Sequence, residues 1–267
     1  MRISTRPAEL VNAAQLPAPE FRGFIRDRLG FDIRTGVLLV SVFGVVRVIL
    51  VLQANVTGSY QVVSILFVVM AALPWILLTK QGRRRAGIVR PTRRRWVVPG
   101  FFAGAAACLV VFAAFTALWG DTVYNAFVYI GGTYSAVPSG LNDADRAIYF
   151  AIFAVIGLTF SPIGEEVLYR GLAQQSFAAK LGSTKAALID AGAFAVAHLS
   201  HFGVVYLAGA WAFFLGPAAL WLVAMFAASL VFHSFRMLTG SILGAIASHA
   251  GFNLAMTIVI FYALDLF

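Results

Sequence analysis

Apolar residues run in long blocks along most of this chain, and polar residues gather in short islands between them. A helix needs about 20 predominantly apolar residues to cross a bilayer. On that measure the first predicted span is roughly 36–54, the second 60–79 and the third 96–119. A fourth apolar run covers roughly 147–160, a fifth 186–199, and the last 241–264. The block at 204–235 is too long for one ordinary span and contains Gly216-Pro217. It reads as a short re-entrant piece followed by a span, or as one long, tilted and kinked helix. The count is seven spans, or eight if that block divides. The predicted fold is therefore all-α, a polytopic membrane bundle of seven or eight helices. Its parts are an N-terminal arm at 1–35, three accessory helices over 36–146, and a core at 147–267.

Composition supports the pattern. Of 267 residues, 61% are hydrophobic and 12% charged, and the mean hydropathy is +0.87. Soluble domains are nearer half apolar and a quarter charged. The first apolar run begins only near Gly36, after a mixed polar arm and with no small-residue cleavage pattern behind it, so it reads as a retained span rather than a signal peptide. Trp75, Trp96 and Trp119 fall near predicted span ends, where an aromatic belt places them. Gly100 and Gly104 form a G-x-x-x-G pattern that permits close helix packing. The single cysteine, Cys108, excludes an intramolecular disulfide and a thiolate metal cluster.

The net charge of +9 is unevenly placed. Residues 80–95 hold eight basic residues and no acid, and the arm at 1–35 adds six Arg against four acids. Basic loops beside apolar spans follow the positive-inside rule and meet anionic lipid head groups. No nucleic-acid partner is expected. With 80–95 in the cytoplasm the N-terminus is cytoplasmic too. The loop at 120–146, with Asp121, Asp143 and Asp145, then lies outside, and Lys180 and Lys185 return inside.

Ionisable groups inside a bilayer are costly and need a partner or a wet cavity. The island "SPIGEEVLYRGL" (161–172) carries Glu165, Glu166 and Arg170. Ser161-Pro162 can restart a helix, with Ser161 as cap and Pro162 in its first turn. Glu166 and Arg170 are four apart and can pair, while Glu165 is rotated by about 100°. The plain alternative is an ordinary interfacial ion pair. His249 and Asn253 are also four apart, and polar glue between helices would explain them alone. Phe194 and His198 share a face. His201 and His233 lie near span ends and receive no role. Arg47, inside the first span, calls for a carboxylate partner or a cavity, but no spacing assigns it one. Taken together, a carboxylate and a histidine can take a proton from water, and a histidine and an amide can donate to an oxyanion. That set suits peptide hydrolysis.

"EEVLYRG" (165–171), "FAVAH" (194–198) and "HAGFN" (249–253) resemble, in order, the three motifs of the CAAX-protease and bacteriocin-processing family of intramembrane proteases: E-E-x-x-x-R, F-x-x-x-H and H-x-x-x-N/D. The resemblance covers roughly 147–264. It implies a membrane-embedded endopeptidase in which Glu165 activates water with help from His198, His249 and Asn253 line the oxyanion site, and Glu166 and Arg170 orient the site or meet substrate. No cofactor is expected, although Glu165, His198 and His249 could supply three zinc ligands; the chain lacks H-E-x-x-H. The expected partners are membrane lipids and a protein or peptide substrate, and the expected location is a bacterial plasma membrane. Two rivals remain: a non-enzymatic immunity or scaffold protein, and a transporter, against which the lack of a repeated half counts.

One expectation follows from lengths. At 1.5 Å per residue, Glu165 lies about 27 Å below Ala147 and His198 about 20 Å above Lys185. Straight, upright helices would keep them apart, so a break is predicted at Ser161-Pro162-Ile163-Gly164.

Overall fold

The computed structural model describes residues 20–264 and 266–267; most of the N-terminal arm, residues 1–19, lies outside the described residues. Helix α1 (Ile33–Thr57) starts at Asp32, whose carboxylate accepts from the Thr35 N–H at 2.8 Å, and stops at Gly58 with φ of 70°. An acidic cap and a left-handed glycine are the usual start and stop devices. Helix α2 (Gln61–Leu77) returns, and the basic loop holds the short α3 (Lys80–Arg85). Helix α4 (Val97–Trp119) is followed by a loop containing α5 (Ala126–Gly132). Helix α6 (Asp143–Glu166) is capped by Asn142 and carries Asp143 and Asp145 in its first turn, where the helix dipole favours them.

The chain then takes a π-helical stretch, Val167–Ala173, and continues as α7 (Gln174–Leu181). A turn at Gly182, φ 78°, reverses it into α8 (Ser183–Ala197). A short 3₁₀ turn, His198–Ser200, leads to a hairpin of β1 (Val204–Leu207) and β2 (Ala210–Phe213). Helices α9 (Leu215–Thr239) and α10 (Ile242–Tyr262) complete the chain.

The fold is an all-α membrane bundle, with two corrections to the expected pattern. First, no break occurs at 161–164. Helix α6 runs through Pro162, and Asp143–Leu181 forms one 39-residue rod. Neighbouring helices in membrane bundles tolerate the proline's missing donor. The irregularity comes one turn later, as the π stretch. Second, the block at 204–235 is neither a re-entrant helix nor one long kinked helix. Its first ten residues form the antiparallel hairpin, with Val205 opposite Ala212. Ala208 and Gly209 both take positive φ, 48° and 83°, as a tight two-residue hairpin turn requires. Among the described residues, five helices are long and apolar enough to cross a membrane by length and composition. Helix α2, at 17 residues, is apolar but shorter, and α8 has 15.

Helix α10 lies at the centre, packed on α4, α6 and α9. A Cβ on Gly104 would fall 1.7 Å from the Ser248 carbonyl oxygen, and one on Gly251 would fall 1.9 Å from that of Phe101. The α4 and α10 backbones thus touch, as small residues allow. A Cβ on Gly164 would meet the Phe67 carbonyl oxygen at 2.4 Å, so α2 and α6 close on each other there. Large apolar side chains such as Phe102 and Val110 of α4 stay exposed, as lipid-facing positions do.

Candidate active site

The length mismatch resolves at Gly182. Because the α6–α7 rod continues to Leu181 and α8 starts at once, Glu165 and His198 lie nearly equal distances on either side of the turn. Each stands about 24–26 Å of helix above it. Arg47 of α1 meets them at that level. Its Nε donates to Glu165 Oε1 at 2.8 Å, its Nη1 to the Ala197 carbonyl at 2.8 Å, and its Nη2 lies 3.0 Å from His198 Nε2. His198 Nδ1 lies 2.7 Å from the Phe194 carbonyl. A carbonyl only accepts and a guanidinium only donates. These partners therefore assign His198 as neutral, with the proton on Nδ1 and the lone pair of Nε2 turned to Arg47. Glu165 Oε2 stands 3.7 Å from His198 Nε2 and has no hydrogen-bond partner.

Glu166 belongs to a second network. Its Oε1 accepts from His249 Nδ1 at 2.8 Å and faces Arg170 Nη1 at 3.1 Å. Arg170 donates from Nη2 to the Ser229 hydroxyl at 2.7 Å, and its Nε lies 3.5 Å from Asp190 Oδ2. The guanidinium sits over the Phe194 ring at 4.5 Å. The His249 ring stacks on Phe232 with centroids 4.7 Å apart. Glu166, Arg170, Asp190 and Ser229 are all buried, so four helical segments converge on one guanidinium. The His249 Nδ1–H is committed to Glu166, which leaves Nε2 for the cavity.

That cavity measures about 450 Å³, and Arg47, His198, His201, His249 and Asn253 supply polar lining. Asn253 spends one amide N–H on the Gly157 carbonyl at 3.0 Å. The predicted set is therefore only partly assembled on the cavity wall. His198, His249 and Asn253 reach it; Glu165 and Glu166 are fully buried and do not line it. Arg47 and His198 stand between Glu165 and the cavity, because the carboxylate turns toward α1.

The three motifs also carry a match. Residues 147–255 match the family model described as type II CAAX prenyl endopeptidase Rce1-like. Over this segment the chain is similar to that family. No curated protein and no solved structure matches the chain. The Rce1-like segment runs from the first turns of α6 into α10 and so contains Glu165, Glu166, Arg170, His198, His249 and Asn253. It does not contain Arg47.

The zinc set expected as an alternative, Glu165, His198 and His249, does not fit the donor geometry. A guanidinium already engages both Glu165 Oε1 and His198 Nε2, which leaves His249 Nε2 as the one histidine nitrogen of the set free to ligate. Among the described residues, no group of three or more His, Cys, Asp or Glu is arranged to hold a metal ion. Three residues were missed or left idle by sequence reasoning. Asp190 is an acid inside an apolar run, a signal present but unread. Arg47 was visible without a partner. His201 lines the cavity beside His198, their rings 5.8 Å apart, whereas His233 turns to Gln174 at 3.1 Å.

Proposed function

We propose that this Rce1-like membrane protein is an intramembrane endopeptidase that activates water with Glu165 and His198 and uses no metal. The observation that carries this reading is the unpartnered Glu165 Oε2 beside His198, one layer behind a cavity lined by His198, His249 and Asn253. Arg47 keeps its bond to Glu165 Oε1 and releases His198 Nε2 as substrate and water enter. The water then lies between Glu165 Oε2 and His198. Its oxygen attacks the scissile carbonyl carbon while Glu165 takes the proton. Asn253 and a protonated His249, whose other N–H is held by Glu166, donate to the oxyanion. Glu165 returns the proton to the leaving nitrogen as the C–N bond breaks. A positioned base contributes about 10²–10⁴-fold and an oxyanion donor about 10²–10³-fold. The substrate is a membrane-associated protein or peptide. The basic loop orients the N-terminus to the cytoplasm of a bacterial plasma membrane.

A second reading has one observation in its favour: Glu165 is buried and pinned by Arg47, as in a structural ion pair. It makes the chain a non-enzymatic immunity or scaffold protein. Peptidomes of membranes from cells carrying wild-type protein and Glu165→Gln separate the two. The protease reading expects fragments that disappear in the variant at equal protein level. Identical peptidomes support the scaffold.

A further inference from the structure

The cavity has a direction. Following the helices from the basic loop, α1 rises from Ile33 to Thr57 and α2 falls from Gln61 to Leu77, so 58–60 lies at the end opposite 78–96. Helix α4 rises to Trp119, so the loop holding α5 shares that far end. Helices α6 and α9 descend from it, and α10 climbs back to it. An isolated bridge between Phe21 and Leu78, and the bond from the Thr92 N–H to the Thr239 carbonyl at 3.0 Å, tie the basic end together.

Phe194 of α8 and Phe232 of α9 form the floor of the cavity, and its remaining wall lies at or beyond the level of the site, on the far side from the basic loop. Helix α2 contributes Gln61, Ser64 and Phe67 from its first half, and α6 contributes Ile152, Ile156 and Ser161 from above Glu165. The outermost wall is Gly58 and Tyr60 on one loop and Ser135 and Ala136 on another. Burial pushes the Tyr60 phenol up to about 12, so it stays a neutral donor, and it bonds Asn55. Below, the contact between Gly164 and the Phe67 carbonyl closes the gap between α2 and α6. The space is thus closed at this contact toward the basic end, and its lining continues to the loops at the other. Ile152 and Ile156 of its α6 wall are also exposed to the lipid side.

The basic end carries Lys80, Arg83, Arg84, Arg85, Arg90, Arg93, Arg94 and Arg95. The far loop, 120–142, has a single charged residue, Asp121. Loops rich in Lys and Arg stay in the cytoplasm. We infer that the substrate reaches the site from the non-cytoplasmic face and the outer half of the bilayer, through the α2–α6 gap. The inference rests on the protease reading for the word substrate and adds its class: a polypeptide exposed outside, not a cytoplasmic chain end. Among the described lining residues Arg47 is the one Arg, Lys, Asp or Glu, and Trp221, Met225 and Phe252 make the wall apolar. Such a wall selects an apolar segment.

Cysteine labelling tests the route without needing cleavage, so its failure is distinct from failure of the protease reading. The native Cys108 is buried and makes wild-type protein the blank. Ala136→Cys marks the mouth, Ser64→Cys the interior and Arg94→Cys the basic loop; each variant is first shown to reach the membrane at wild-type level. A membrane-impermeant methanethiosulfonate is added to intact cells and, separately, to permeabilised cells. Ala136→Cys and Ser64→Cys are expected to react alike in both, a ratio of about one. Arg94→Cys is expected to react only after permeabilisation. Reaction of Arg94→Cys in intact cells overturns the orientation. Reaction of Ser64→Cys only after permeabilisation, or in neither condition while Ala136→Cys reacts, overturns the entry route.

Discussion

Glu165 and Glu166 are adjacent, both fully buried, and belong to different machines. Glu165 faces α1 and the end of α8, with one oxygen on Arg47 and the other without a partner next to His198. Glu166 faces α10 and the π stretch, where one oxygen holds His249 and Arg170 together. The 100° step between neighbours on a helix makes this division. One carboxylate keeps a site in shape, and the other stays available for chemistry. The π stretch that follows carries Arg170 to the junction of Glu166, Asp190 and Ser229.

The division can be broken from the Glu166 side. Removing one partner of a buried ion pair costs about 3–5 kcal/mol, because the other charge is left unpaired. Arg170→Ala is therefore expected to lower unfolding stability by that amount, read by thermal unfolding in detergent. A loss below about 1 kcal/mol would mean that the four-way junction is not a structural anchor.

Next in size is Asn253→Ala, which sharpens the contrast from the cavity side. Loss of an oxyanion donor lowers kcat by about 10²–10³-fold, with KM little changed. The check is a kcat and KM measurement on a substrate taken from the peptidome comparison. A change confined to KM would assign Asn253 to binding instead.

A smaller effect is expected at the base of the cavity. Gly164→Val places a branched side chain where even a Cβ would meet the Phe67 carbonyl at 2.4 Å. Overpacking of this kind costs about 1–3 kcal/mol. Unfolding of this variant, compared with Gly157→Val, reports on the closure; Gly157 has no neighbour nearer than 3.7 Å to a built Cβ. Equal stability of the two would mean that α2 and α6 are not locked at Gly164.

The smallest expected effect is none. Chelator treatment of purified protein should leave cleavage unchanged, since Arg47 engages the donors that a metal would need. Loss of activity restored by added zinc would break that reading.

Much of the site could be read from the sequence because it is local. A spacing of four puts Glu166 against Arg170 and His249 beside Asn253, and helix geometry alone gives both. The G-x-x-x-G at Gly100 and Gly104 likewise marks the α4–α10 contact. What could not be read is long-range or irregular. Arg47 is 118 residues from Glu165, and no periodicity links them. The π stretch has the apolar composition of an ordinary helix. The hairpin was hidden because its strands are as apolar as the helix that follows; the Ala208-Gly209 turn was its one local signal, and no Asn or Asp reinforced it. Asp190 was overlooked because its partner, Arg170, had already been paired with Glu166.

The central claim is that the Glu165 carboxylate performs the chemistry. The direct test is the cleavage rate of purified Glu165→Gln against wild type, at matched folded fraction. The amide still accepts from Arg47 through Oε1, so the fold is expected to persist while the rate falls by about 10²–10⁴-fold. A folded variant that cleaves within about threefold of wild type, far short of a general base's share, would contradict the account.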